Sequence, residues 1–284
     1  MIRLDAATVL LQWAVGGLFF CWITTRRREV SLGYGWLLRA TYLLMAVGAV
    51  VTGARYGKAV PVRDAASAGV AIAALAALVV SVQRRKAGVA GERERDTVRS
   101  ARVAAMTGIE RGRAARDTAA AEFPPVLDLV APAVGLVGLV AAGVAAGDPL
   151  ALSVARVVVG AAFLGAVTDA MLLGHWYLVQ PGMPRAPLLE LIRWLAATWP
   201  FEVAVLLWPT GMVSVLTGTI DDGYNGVLGW MWIACAVTTI GLVGVTRAAL
   251  KERQYSAVMA ATGLLYLAIL TAFGTDLVAR AVLA

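Results

Sequence analysis

The strongest constraint on this chain is the recurrence of long apolar runs. Several reach or pass the roughly 18–20 residues needed to cross a hydrocarbon core about 30 Å thick. No water is available there to satisfy backbone N–H and C=O groups, so each run must close its own hydrogen bonds as a helix. Eight segments are readable: 5–24, 33–54, 64–82, 124–146, 150–178, 188–217, 226–247 and 256–281. The 284 residues are 60% hydrophobic and 15% charged, against about 45–50% and 25% in soluble domains. The expected fold is all-α, a polytopic membrane helical bundle of about eight transmembrane helices. It forms a single transmembrane domain over 1–284, with no length left for a second sizeable one.

Lysine and arginine set the expected orientation. Seventeen lie on one side: Arg26 to Arg28, ten in the 83–123 connection, Arg185, and Arg247, Lys251 and Arg253. Five lie on the other: Arg3, Arg55, Lys58, Arg63 and Arg280. The richer side is expected in the cytoplasm of a cell's inner membrane, with both termini outside. The first apolar run is expected to be a retained span, because a charged n-region and a small-residue cleavage site are lacking. The net charge of +7 sits in loops, so it reads as topology and not as a nucleic-acid surface.

Between 83 and 123, Val98, Ala105, Met106 and Ile109 recur at helical spacing among charges. This is the pattern of a short amphipathic helix on the membrane surface, or of a solvated linker. Glycine and alanine crowd spans three to five and favour close helix approach in lipid. Cys21 and Cys235 fall at different expected depths, which argues against a disulfide. There is no CxxC, phosphate loop or GxSxG elbow.

The segment 150–217 carries the chemistry. It holds the only histidine, His175, with Arg156, Asp169, Glu190, Arg193 and Glu202. An Asp, Lys or Arg at the centre of a span costs about 2.5–3.5 kcal/mol on insertion scales, so such groups are paired, hydrated or functional. The fifth and sixth spans form a hairpin. Depth along it brings His175 level with Glu190 and sets Asp169 within reach of Arg193, with Arg39 of span two as a competitor. A polar cluster of Asp169, His175, Glu190, Arg193 and Arg39 toward the cytoplasm is therefore expected. Angles temper this, since Asp169 and His175 point about 240° apart around their helix.

His175, flanked by Trp176 and Tyr177, suits a quinone or a haem at interface depth. In that reading His175 bonds the ring oxygen, Trp176 and Tyr177 pack on the ring, and Arg193 balances negative charge. Asp169 and Glu190 serve as proton partners. A single histidine excludes two-histidine haem ligation within one chain, and no multi-ligand metal site is expected. The plainer alternative is an interfacial aromatic pair beside a hydrated histidine. In span six, Pro200 frees the carbonyl of Ala196 and places Glu202 at a weak point near mid-membrane. This suits a proton or cation station, or a carboxyl that simply bonds a neighbour's backbone.

Arg156 is expected to snorkel, Asp128 to sit at a helix start near the interface, and Asp276 to pair with Arg280 one turn away. Three functions remain open: a redox-associated subunit or accessory protein, a proton-coupled transporter or channel, and a structural assembly protein. The expected partners are the lipid bilayer and other membrane subunits.

Overall fold

The computed structural model describes residues 2, 4–56, 58–107, 121–180, 182–209 and 211–284; the side chains at 99, 100, 102–104, 106 and 107 lie outside that description. Ten α-helices follow in order: α1 (Ala6–Thr25), α2 (Leu32–Arg55), α3 (Pro61–Gln83), α4 (Ala90–Thr107), α5 (Val130–Ala146), α6 (Leu150–Val179), α7 (Ala186–Leu207), α8 (Met212–Leu216), α9 (Val227–Ala249) and α10 (Tyr255–Leu283). A 3-10 turn at Pro125–Leu129 leads into α5. The described residues contain no strand. The protein is a membrane-embedded helical bundle.

Seven helices have the length and apolar composition of membrane spans: α1, α2, α3, α5 with its leading turn, α6, α9 and α10. Helix α7 has 22 residues but carries Glu190, Arg193 and Glu202. It also stops early. The sequence suggested one span over 188–217, whereas α7 ends at Leu207 and the five-residue α8 follows. The cause is Pro209, which disfavours helical backbone at the residue before it; Trp208 is extended, with φ −143° and ψ 154°.

Proline and aspartate punctuate the other helix starts. The Asp5 side chain accepts from the Thr8 backbone N–H, capping α1. Pro61 opens α3 at a position where a missing N–H costs nothing. Gly147, at φ 105°, closes α5 and allows the tight return into α6. The 83–123 connection contains α4, on which Val98 is exposed. The Met106 side chain and Ile109 lie outside the described residues.

These seven helices and α7 pack as two successive four-helix bundles. In the first, α1 packs on α2, α2 on α3, α3 on α5, and α5 back on α1. In the second, α6 packs on α7, α7 on α9, α9 on α10, and α10 back on α6. Each is an up-down-up-down ring, the arrangement that short links favour. The two rings meet where α6 packs on α1 and α5. Each ring has four helices, so α1 and α6, the first of each, run in the same direction. At their crossing a Cβ on Gly16 would lie 1.8 Å from the Ala161 carbonyl oxygen, and one on Gly165 would lie 2.2 Å from the Gly16 carbonyl carbon. The backbones touch, as small residues permit in lipid.

At the end of the bundle that carries the 83–123 connection, here the basic end, two clamps fix neighbouring elements. Arg26 and Arg27 both reach Glu190, at 2.6 and 3.3 Å, tying α1 to α7. Arg185 donates to the carbonyls of Leu250, Glu252, Arg253 and Gln254. It thereby ties the start of α7 to the turn between α9 and α10.

Candidate functional site

Arg39 of α2 finds Asp128, not Asp169. Its Nε and Nη2 each donate at 2.7 Å to the two Asp128 oxygens, and its Nη1 donates to Ser81 Oγ at 3.2 Å. Thr25 also donates to Asp128. Both charged side chains are buried, and the guanidinium lies 4.2 Å over the Phe123 ring. Asp128 sits at the start of its span, as expected, but is buried there as an interior counter-ion. The approach of the chain from 123 to 128 folds it inward beside α1, a long-range event that helical spacing does not encode. With its donors matched, this pair reads as a lock between α2 and the start of α5.

The expected five-residue cluster is dispersed. Asp169 accepts a bond from Tyr42 Oη, and Tyr34 Oη donates to the Asp169 backbone carbonyl at 3.3 Å. Glu190 is taken by Arg26 and Arg27 and does not meet His175. His175 is exposed on the outer surface, where its Nδ1 lies 3.0 Å from Tyr266 Oη. Arg193 is exposed and donates along its own helix, to the Leu189 carbonyl at 3.2 Å. Trp176 donates from Nε1 to Ser31 Oγ at 2.9 Å, and Tyr177 donates to the Pro184 carbonyl. The reason is angular. His175 and Asp169 point to different sides of α6, as 100° per residue requires, and the first bundle rather than α7 occupies the Asp169 side. Among the described residues no three His, Cys, Asp and Glu side chains converge to hold a metal ion.

The structure gathers its densest intramembrane chemistry around Glu202, at the half of the bundle away from the basic end. Glu202 of α7 is fully buried. The ionisable groups facing it are Asp276 and Arg280 of α10 and Arg156 of α6. Arg280 Nε donates to Asp276 Oδ2 at 2.7 Å, the expected one-turn pair, and Arg280 Nη2 donates to Gln12 Oε1 of α1. Gly160 of α6 makes room, since a Cβ there would lie 2.2 Å from Gln12 Nε2 and 3.2 Å from Asp276 Oδ1. Arg156 does not snorkel. It is 1% exposed, and its Nε donates to the Val205 carbonyl at 2.7 Å. That carbonyl would bond the N–H four residues on in a continuing helix, but position 209 is proline and has none.

Neither Glu202 oxygen receives an N–H or O–H donor among the described residues, and neither does Asp276 Oδ1. The Glu202 and Asp276 carboxyls face each other inside this cluster. Two facing carboxyls can bond each other only when one of them carries a proton. Glu202 was legible in the sequence through its proline; Gln12 was not, since a lone glutamine in a span carries no spacing signal. Asp276 and Arg280 were legible as a pair and not as neighbours of Glu202.

Compared with family models, curated proteins and solved structures, the chain matches none.

Proposed function

We propose that this membrane protein moves protons across the bilayer, alone or coupled to a second solute, with Glu202 and Asp276 as the exchange pair. The observation that carries the reading is a buried Glu202 whose two oxygens have no donor among the described residues, beside a second carboxyl. An ionisable group at such depth is costly unless it is paired or used. Arg280, which also donates to Gln12, anchors Asp276, and this leaves Glu202 as the carboxyl free to change partners. Pro200 sits two residues before it and loosens α7 there. With the basic end in the cytoplasm of an inner membrane, the pair lies in the outer half of the bilayer.

The His175–Tyr266 contact supports a second reading. It presents a polar, hydrogen-bonded ring pair on the outer surface, where a quinone head group would approach from lipid. That reading ranks second, because the acids and the arginine expected to assist His175 lie elsewhere.

Reconstituted vesicles separate the two. With a pH gradient imposed, Glu202→Gln is expected to abolish proton flux while His175→Ala retains it. Flux that survives Glu202→Gln overturns the proposal. A quinone-dependent signal lost only in His175→Ala supports the second reading instead.

A further inference from the structure

Asp169 is a second buried carboxyl with an oxygen to spare. Tyr42 donates to Oδ1, whereas Oδ2 is buried and receives no donor among the described residues. The nearest guanidinium, that of Arg39, is fully engaged by Asp128 and Ser81. The titratable groups that face Asp169 are Cys21 of α1 and Tyr34 and Tyr42 of α2, with the Arg39–Asp128 pair beside Cys21. From the other side Thr168 accepts a bond from Trp13 Nε1 at 2.9 Å. The site belongs to the first bundle. Gly160, at the Glu202 cluster, is nine positions away, about 13 Å along α6 and roughly 180° around it.

Above Asp169 lies a cavity of about 400 Å³ at the basic end, lined by Ser31, Gly33, Arg85, Glu92, Trp176 and Gln180 among others. Trp176 lines it, and its Nε1–H donates to Ser31 Oγ at 2.9 Å and to Gln180 Oε1 at 3.2 Å. The Trp176 ring centroid is 6.2 Å from that of Tyr34, and Tyr34 bonds the Asp169 carbonyl. Trp176 and Asp169 lie two turns apart on one stripe of α6, about 10 Å in depth. Cavity, tryptophan, tyrosine and carboxyl therefore form one file leading inward.

We propose that this cavity is the mouth of a second proton-exchange site, Asp169 with Tyr42, closed by the Trp176–Ser31 contact. In the exchange step a proton passes between water in the cavity and Asp169 Oδ2, and no other bond changes. Its place in a transport cycle rests on the function proposed above; its exchange with water does not.

Infrared spectroscopy of the full-length protein in lipid vesicles tests it. The Asp169 carboxyl band is assigned by its loss in Asp169→Asn, or by its shift in Tyr42→Phe should the first variant not fold. On transfer to heavy water the band is expected to shift. Trp176→Ala is expected to speed that shift about fivefold, the factor that one neutral hydrogen bond supplies. A band exchanging at the same rate in wild type and Trp176→Ala overturns the proposal, as does a folded Asp169→Asn protein that loses no band. Glu202→Gln is expected to leave the band and its exchange unchanged, so the failure of either site is read separately.

Discussion

At the scale of single residues, burial decides which charges are structural. Arg39 and Asp128 have 2% and 0% of their side chains exposed and match each other's hydrogen bonds. Removing one partner strands the other. Arg39→Met is expected to destabilise the protein by about 3–5 kcal/mol, and Arg39→Met with Asp128→Leu to recover most of that loss. Denaturant unfolding in detergent micelles measures both. Asp222 behaves differently because it lies outside the spans. Its partial desolvation pushes its carboxyl up, but backbone N–H donors from Gly226, Tyr224 and Leu228 outweigh that and hold it below its ordinary value. The stabilisation is therefore complete above the ordinary carboxylate range and is lost as pH falls through the depressed folded-state value. Amide exchange at Tyr224, Gly226 and Leu228 should accelerate over that acid window, and Asp222→Asn should remove the dependence.

At the scale of elements, glycines separate contact faces from lipid faces. Gly16 and Gly165 bring the α1 and α6 backbones together, whereas Cβ atoms added at Gly241 and Gly244 of α9 would meet nothing within 4 Å. Gly165→Ala is expected to cost at least about 1–3 kcal/mol through overpacking. Gly241→Ala is expected to be neutral or to stabilise by up to about 1 kcal/mol, because α9 gains helix propensity. Thermal unfolding of the two variants, side by side, tests the assigned faces. The Arg185 clamp makes a third expectation. Arg185→Ala frees four carbonyls in the α9–α10 turn, so protease cleavage near Glu252 should increase with little change in the global unfolding midpoint.

At the scale of the molecule, sequence reading reached the helices and their approximate bounds, because apolar length and proline position act locally. It overran α7 by treating 188–217 as one rod despite Pro209. It paired Asp276 with Arg280 because one turn separates them. It did not reach the pairing of Arg39 with Asp128 or of Asp169 with Tyr42, which join positions 89 and 127 residues apart. Helical depth alone cannot choose between partners on different helices. The division into two rings supplies the missing information: it turns one face of α6 toward Tyr42 and the other toward Asp276, so Asp169 and Glu202 belong to separate bundles.

The account turns on one shared proton in the second ring. Carbon-13 NMR of labelled glutamate and aspartate carboxyls, followed through a pH titration in lipid, observes it directly. The expected result is a Glu202 resonance that responds to two coupled steps and collapses to a simple one-group curve in Asp276→Asn. A Glu202 curve that Asp276→Asn leaves unchanged would contradict the account.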